Sequence, residues 1–237
     1  MEDYIGTLIR RYPRLESCKN PIYKAFEKMK ECLENGNKIL VAENGGSASD
    51  AEHIVGELMK CFNLQRKIGD DLRDKLIEID HERGIELAEK LQMALPAISL
   101  CNHNSLNTAF SNDVDGKICF AQQVHEYGVK GDVLLVISTS GNSENILYGA
   151  ITAKAEGLFV IGLSGEGGGG GKLASIADFM ISVEETETYK VQELHLPIYH
   201  CFCMMLENYF FAYGVLIRVY MELWFNCKTI HLKELHL

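Results

Sequence analysis

One short stretch, Asp132-Val-Leu-Leu-Val-Ile137, constrains this chain more than any other, because it is apolar without interruption from Val133 onward. A strand with one wet face alternates apolar and polar residues. A continuous run belongs to a strand covered on both faces, as in a parallel sheet held between helical layers. The run passes directly into Ser138-Thr-Ser-Gly-Asn-Ser143, then into a helical pattern that lasts to about Gly157. A second apolar run, Leu158-Phe-Val-Ile-Gly-Leu163, follows. Strand, turn, helix and strand in that order make a βαβ unit and predict a mainly parallel sheet.

The same grammar recurs on either side. Lys38–Ala42 reads as a strand that ends in Asn44-Gly-Gly-Ser47, ahead of a helix carrying Ala51, Ile54, Val55 and Leu58 at helical spacing. Ala97–Cys101 and Ala177–Val183 supply two further strands. Two helical patterns open the chain, the second from about Asn20 to Asn35, and a long helix begins near Thr188. The expected fold is an α/β three-layer sandwich around a five-stranded sheet. With 237 residues, 47% of them hydrophobic, one core suffices, and residues 1–212 are expected to form a single domain.

Three segments do not fit the alternation. Residues 61–95 form a charged insertion of one or two exposed amphipathic helices, divided near Arg83-Gly84, and read as a lid. Gly167–Gly171 reads as a mobile loop, since a dinucleotide fingerprint needs the first strand before it and a helix start right behind. The tail, 213–237, has no assignment. Its apolar run is broken by Arg218 and Glu222 and is too short for a membrane span.

Composition removes several function classes. The 33 acidic residues outnumber the 23 basic ones for a net charge of -10, which repels nucleic acid and anionic membranes. The first residues lack the basic start, apolar stretch and cleavage site of a secretory signal, so the expected location is the cytoplasm. The eight cysteines, with no CxxC pair, are then expected as buried thiols.

Chemistry concentrates where the strands end. Parallel sheets bind ligands at their carboxyl edge. In Ser138–Ser143 the hydroxyls of Ser138, Thr139, Ser140 and Ser143, with the free N–H groups of the next helix, can donate to one phosphate while Gly141 admits the backbone. A serine N-cap accounts for one hydroxyl and leaves the others unexplained. Asn44, Gly45, Gly46 and Ser47 offer a second wall, and Asn112 and Asp113 are further candidates for substrate contact. His53 and Glu57 stack on one helical face, where either could handle protons; an ordinary exposed helix pair is the plain alternative. Farther on, Gln192 and His200 stand about 80° apart around one helix and can flank a cleft, with Glu193 and His195 as competitors. Pro197 is expected to kink that helix.

Three segments together, Ala42-Glu-Asn-Gly-Gly-Ser-Ala-Ser-Asp-Ala-Glu-His-Ile-Val-Gly-Glu-Leu58, Ser138-Thr-Ser-Gly-Asn-Ser-Glu-Asn-Ile146 and Tyr189-Lys-Val-Gln-Glu-Leu-His-Leu-Pro-Ile-Tyr-His200, resemble the SIS-domain phosphoheptose isomerases. The resemblance spans roughly residues 1–210. It implies a flavodoxin-like SIS domain and an aldose–ketose isomerase that takes sedoheptulose 7-phosphate to D-glycero-D-manno-heptose 7-phosphate through an enediol. It further implies that Glu57 and His200 are acid and base, that His53, Glu57, Gln192 and His200 bind zinc, and that the protein is a homotetramer. An active-site aspartate of the family is replaced here by His103. Non-catalytic SIS modules that sense a sugar phosphate or bind a partner are the competing reading, which the retained His53, Glu57, Gln192 and His200 oppose. An amino-sugar enzyme on the same fold would carry a glutaminase or ammonia-handling segment.

Overall fold

The computed structural model describes residues 3–165 and 167–212; the tail beyond them, left unassigned from sequence, lies outside the described residues. Helices α1 (Tyr4–Arg11) and α2 (Lys19–Glu34) lead into β1 (Ile39–Ala42) and α3 (Ala48–Met59). After the insertion come β2 (Ala97–Ser99), α6 (Asn104–Asp113), α7 (Cys119–Tyr127), β3 (Val133–Ser138) and α8 (Glu144–Ala155). The chain continues through β4 (Phe159–Ser164) and β5 (Phe179–Ser182) to α9 (Thr188–Glu207). All five strands pair in parallel, in the order β2-β1-β3-β4-β5. The order reverses direction between β1 and β3, so the connections leaving these two strands diverge and open a crevice at their carboxyl ends.

Every residue of β1 and β3 is buried, which confirms the double-sided covering expected of the apolar run. Alternate residues point to opposite layers. Ile39, Val41, Val133, Leu135 and Ile137 pack with α2, α3 and α9, while Leu40, Ala42, Leu134 and Val136 pack with α7 and α8. The helix α9 continues through Pro197 as one element, although the proline ring denies Glu193 its helical donor.

The insertion divides earlier than the sequence suggested. Its helices are α4 (Asp70–Ile79) and α5 (His81–Lys90), with the break at Asp80 rather than Arg83-Gly84. Asp80 caps α5 by accepting from the Arg83 amide at 2.9 Å. Gly84 lies inside α5 because a Cβ there would collide with the Leu76 carbonyl of α4. The glycine therefore marks a close helix crossing, not a helix end.

The glycine run is likewise packed against its surroundings. The amides of Gly167, Gly168 and Gly170 donate to the carbonyls of Glu185, Val183 and Gly165 at 2.9, 3.1 and 3.2 Å. Gly170 and Gly171 have φ of 73° and 60°, values open to glycine. Their main chain abuts the Ser138–Ser143 turn: a Cβ on Gly141 would strike the Gly170 carbonyl, and one on Gly171 the Ser140 carbonyl.

Candidate functional site

The two strand-end turns form one crevice. A cavity of 240 Å³ is lined by Glu43, Asn44, Gly45, Gly46 and Ser47 from the first turn, Ser138, Thr139 and Ser143 from the second, and Thr188 and Gln192 from α9. Ser140 lies just outside, on a neighbouring hollow with Thr139, Thr186 and Thr188. The turns are stapled by reciprocal amide bonds, Asn44 Nδ2 to Asn145 Oδ1 at 2.9 Å and Asn145 Nδ2 to Asn44 Oδ1 at 2.7 Å. The N-cap explanation of the serines fails. The Ser143 side chain caps nothing at the start of α8; its hydroxyl stands 3.3 Å from that of Ser138. Ser138 also accepts from the Gly141 amide at 3.1 Å, and Ser140 from the Asn142 amide at 3.2 Å, so the turn holds its own shape. Hydroxyls and helix-start amides on a neutral wall suit an anion, as a chain of net charge -10 requires of any phosphate site.

A second group of residues gathers along α3 and α9, whose contacts advance in the same direction from Ser47–Gln192 to Phe62–Glu207. His53 places Nε2 3.3 Å from Glu57 Oε1 and Nδ1 3.2 Å from the Tyr199 hydroxyl. Tyr199 donates to Asp50 Oδ1 at 3.0 Å. Having given its proton to Asp50, Tyr199 can only accept from His53, which puts a proton on Nδ1. Nε2 of the same ring faces the Glu57 carboxyl. Glu57 Oε2 also lies 3.4 Å from the Lys60 ammonium. The His200 ring sits edge-on to that of His53, 5.0 Å between centroids, and its buried Nε2 has no protein partner. Burial first, and the neighbouring His53 second, pull the His200 pKa below the usual histidine value, so it is neutral at physiological pH.

This cluster is anchored by a pair that sequence reading passed over. Arg66, in the insertion, donates to the carbonyls of Leu58 at 2.7 Å and Glu57 at 3.1 Å, satisfying the last turn of α3. Its guanidinium meets Glu207 of α9 at 2.9 Å, both side chains being fully buried. Glu207 accepts as well from the amides of Phe62 and Asn63, each at 2.7 Å. The end of the helix that carries Glu57 is thereby tied to the helix that carries His200.

The expected zinc set does not assemble as a whole. His53, Glu57 and His200 meet, but Gln192 donates to Ser47 Oγ at 2.7 Å in the crevice, about 12 Å of helical rise from His200. His53 engages both ring nitrogens with protein partners, and among the described residues no three His, Cys, Asp or Glu side chains converge on a point that could hold a metal. As arranged, Gln192 stands apart from the other three members of that set.

Other expected residues are placed as follows. Asn112 and Asp113 are exposed at the end of α6 and bond to each other at 2.6 Å; the same helix presents Asn107 and Ser111 to a second cavity instead. His103 precedes α6 and stacks near Tyr127 at 5.4 Å. Glu193 faces solvent. His195 is wholly buried, donates Nε2–H to the Ser164 carbonyl at 3.3 Å, and is pulled down to about 4 by desolvation. It is a core residue. The residue that sequence reading missed outright is Glu43, 2% exposed, with neither carboxyl oxygen hydrogen-bonded. Directly after a buried strand it carries no periodic signal.

The SIS domain profile matches residues 77–165. The phosphoheptose isomerase of Aneurinibacillus thermoaerophilus is 36% identical over 190 residues, 80% of this chain and 82% of that protein. The phosphoheptose isomerase of Shewanella sp. (strain ANA-3) is 34% identical over 197 residues, 83% of this chain and 87% of its own length. The solved phosphoheptose isomerases of Neisseria gonorrhoeae and Francisella tularensis superpose with TM-scores of 0.65 and 0.66, each at 31% identity. They cover 85% and 86% of this chain, and 94% and 95% of those structures are matched.

Proposed function

The chain belongs to the SIS-domain phosphoheptose isomerase family, and on that premise we propose that it interconverts sedoheptulose 7-phosphate and the matching aldose phosphate. The observation that carries this reading is the meeting of the two hydroxyl-bearing turns in one neutral, amide-stapled crevice at the switch point of the sheet. The phosphate takes its hydrogen bonds from Ser138, Thr139, Ser140, Ser143 and Ser47. Glu57 removes the proton from C1 of the ketose and returns it to C2, while neutral His200 gives its proton to O2 as the enediol forms and regains one from O1 as the aldehyde forms. The Tyr199–Asp50 bond fixes the His53 ring, and His53 holds the Glu57 carboxyl in place.

From Ser47 to Glu57 the helix rises about 15 Å. A homotetramer, in which the Glu57–His200 cluster of one copy approaches the crevice of a neighbour, shortens that span and is part of the proposal. Zinc is proposed as a bound addition. His53, Glu57 and His200 have the donor types such a site uses, and a bound ion would polarise a carbonyl. Gln192 would first have to leave Ser47, so the proton transfers are assigned to Glu57 and His200. The phosphorylated substrate and the free thiols suit the cytoplasm. Among the described residues no helix is long and apolar enough to cross a membrane.

The test is turnover of C5, C6 and C7 ketose phosphates, each with and without a chelator, alongside sedimentation. The expected result is isomerisation of the C7 substrate by an assembled form. Tight binding of the phosphosugars with no turnover in either arm would assign the chain to the non-catalytic modules instead.

A further inference from the structure

Glu43 has no role in the scheme above, yet it is the most anomalous polar group beside the crevice. It is 2% exposed and both carboxyl oxygens lie buried without a hydrogen-bond partner. A buried polar group with no partner costs free energy comparable to a lost hydrogen bond, and an apolar side chain of similar size would avoid that cost. Such a group persists where something absent from the resting protein completes it.

Its position says what that is. Glu43 lines the phosphate crevice and also a second cavity of 270 Å³, and the two share only Glu43, Asn44 and Gly45. The second cavity adds Asn107, Ser111 and Asn145, uncharged side chains able to donate and accept. Such side chains pair well with sugar hydroxyls. Around Gly45 and Gly46, which follow in the same turn, nothing lies within 4 Å of where a side chain would begin.

We propose that the Glu43 carboxyl hydrogen-bonds the hydroxylated carbon chain of a sugar phosphate whose phosphate rests in the crevice, the chain running under the Asn44–Gly45 turn toward Asn107 and Ser111. The assignment deepens the proposed function and rests on its placement of the phosphate. The protonation state agrees with it. Burial, reinforced by the negative field of Asp50, lifts the Glu43 pKa to about 9, opposed by the Ser47 hydroxyl and Ala51 amide, which lie near the carboxyl but outside hydrogen-bond geometry. A neutral carboxylic acid both donates and accepts, as a sugar hydroxyl does.

Calorimetry with sorbitol 6-phosphate and with inorganic phosphate tests this. Neither probe can isomerise, so the result is independent of whether the chain turns over a heptose phosphate. Glu43→Leu should weaken sorbitol 6-phosphate by about tenfold, leave inorganic phosphate unchanged, and hold or raise Tm. Glu43→Gln, still neutral with donor and acceptor, should bind the hexitol phosphate as the native protein does. Native affinity of Glu43→Leu for sorbitol 6-phosphate overturns the proposal. So does an equal loss for both probes, or a lowered Tm or failure to fold, since each means that Glu43 supports the protein itself.

Discussion

The crevice between the β1 and β3 turns and the cluster farther along α3 are built on opposite principles. The crevice uses hydroxyls, glycines and backbone amides, its parts hydrogen-bonded to one another before any ligand arrives. The cluster uses titratable side chains, His53, Glu57 and His200, held across two helices by the buried Arg66–Glu207 pair. On the proposed scheme one recognises charge without spending any, and the other moves it. Damage to the first should therefore appear in binding, and damage to the second in turnover.

The largest effect belongs to Glu57→Gln, which keeps the shape and removes the base. Turnover of the C7 ketose phosphate should fall by roughly 10² to 10⁴, with inorganic phosphate binding unchanged. Solvent deuterium entering the substrate at the native rate would erase the division of labour. Arg66→Met comes next: it strands the Glu207 carboxylate in the core, and urea unfolding should show a loss of about 3–5 kcal/mol. Arg66→Met combined with Glu207→Leu should recover most of it. If the single change costs nothing, the cluster is not anchored as described.

Smaller effects sharpen the crevice side. Thr139→Ala or Ser140→Ala each removes one charge-assisted bond, and calorimetry should show phosphate weakened by about tenfold with Tm little changed. A fall in turnover at saturating substrate without a change in affinity would place these hydroxyls with the proton chemistry. The smallest effect is on stability against pH. His195 has a folded pKa of about 4, depressed by burial, against an ordinary value near 6.5, so its contribution is complete above pH 6.5 and declines as the pH falls toward 4. The loss by pH 5.5 should be roughly 1 kcal/mol in urea titrations, and His195→Gln should remove it.

What sequence reveals also differs between the two regions. The strands and both turns were legible because a doubly covered strand admits only apolar residues, and that pattern is local. The cluster was legible as residue types but not as geometry. Whether Gln192 joins His200 or Ser47 depends on how α9 lies along α3, a contact between positions 145 residues apart. Gly84 misled because a glycine that lets two helices touch looks, in sequence, like one that ends a helix. Arg66 and Glu43 gave no signal, since a buried cation and a partnerless acid follow no period.

The glycine run behind the Ser138–Ser143 turn sets a limit on how this site can be altered. Its contact with Ser140 and Gly141 is main chain on main chain, so rotamers play no part in it. A library that varies side chains around the crevice can change what lies beside the anion but cannot retune the height at which the anion rests. Redesign toward a bulkier head group would have to lengthen or re-thread the glycine segment itself. Redesign of the wall facing the two turns, by contrast, can proceed through Thr188 and Gln192, whose side chains line the same cavity.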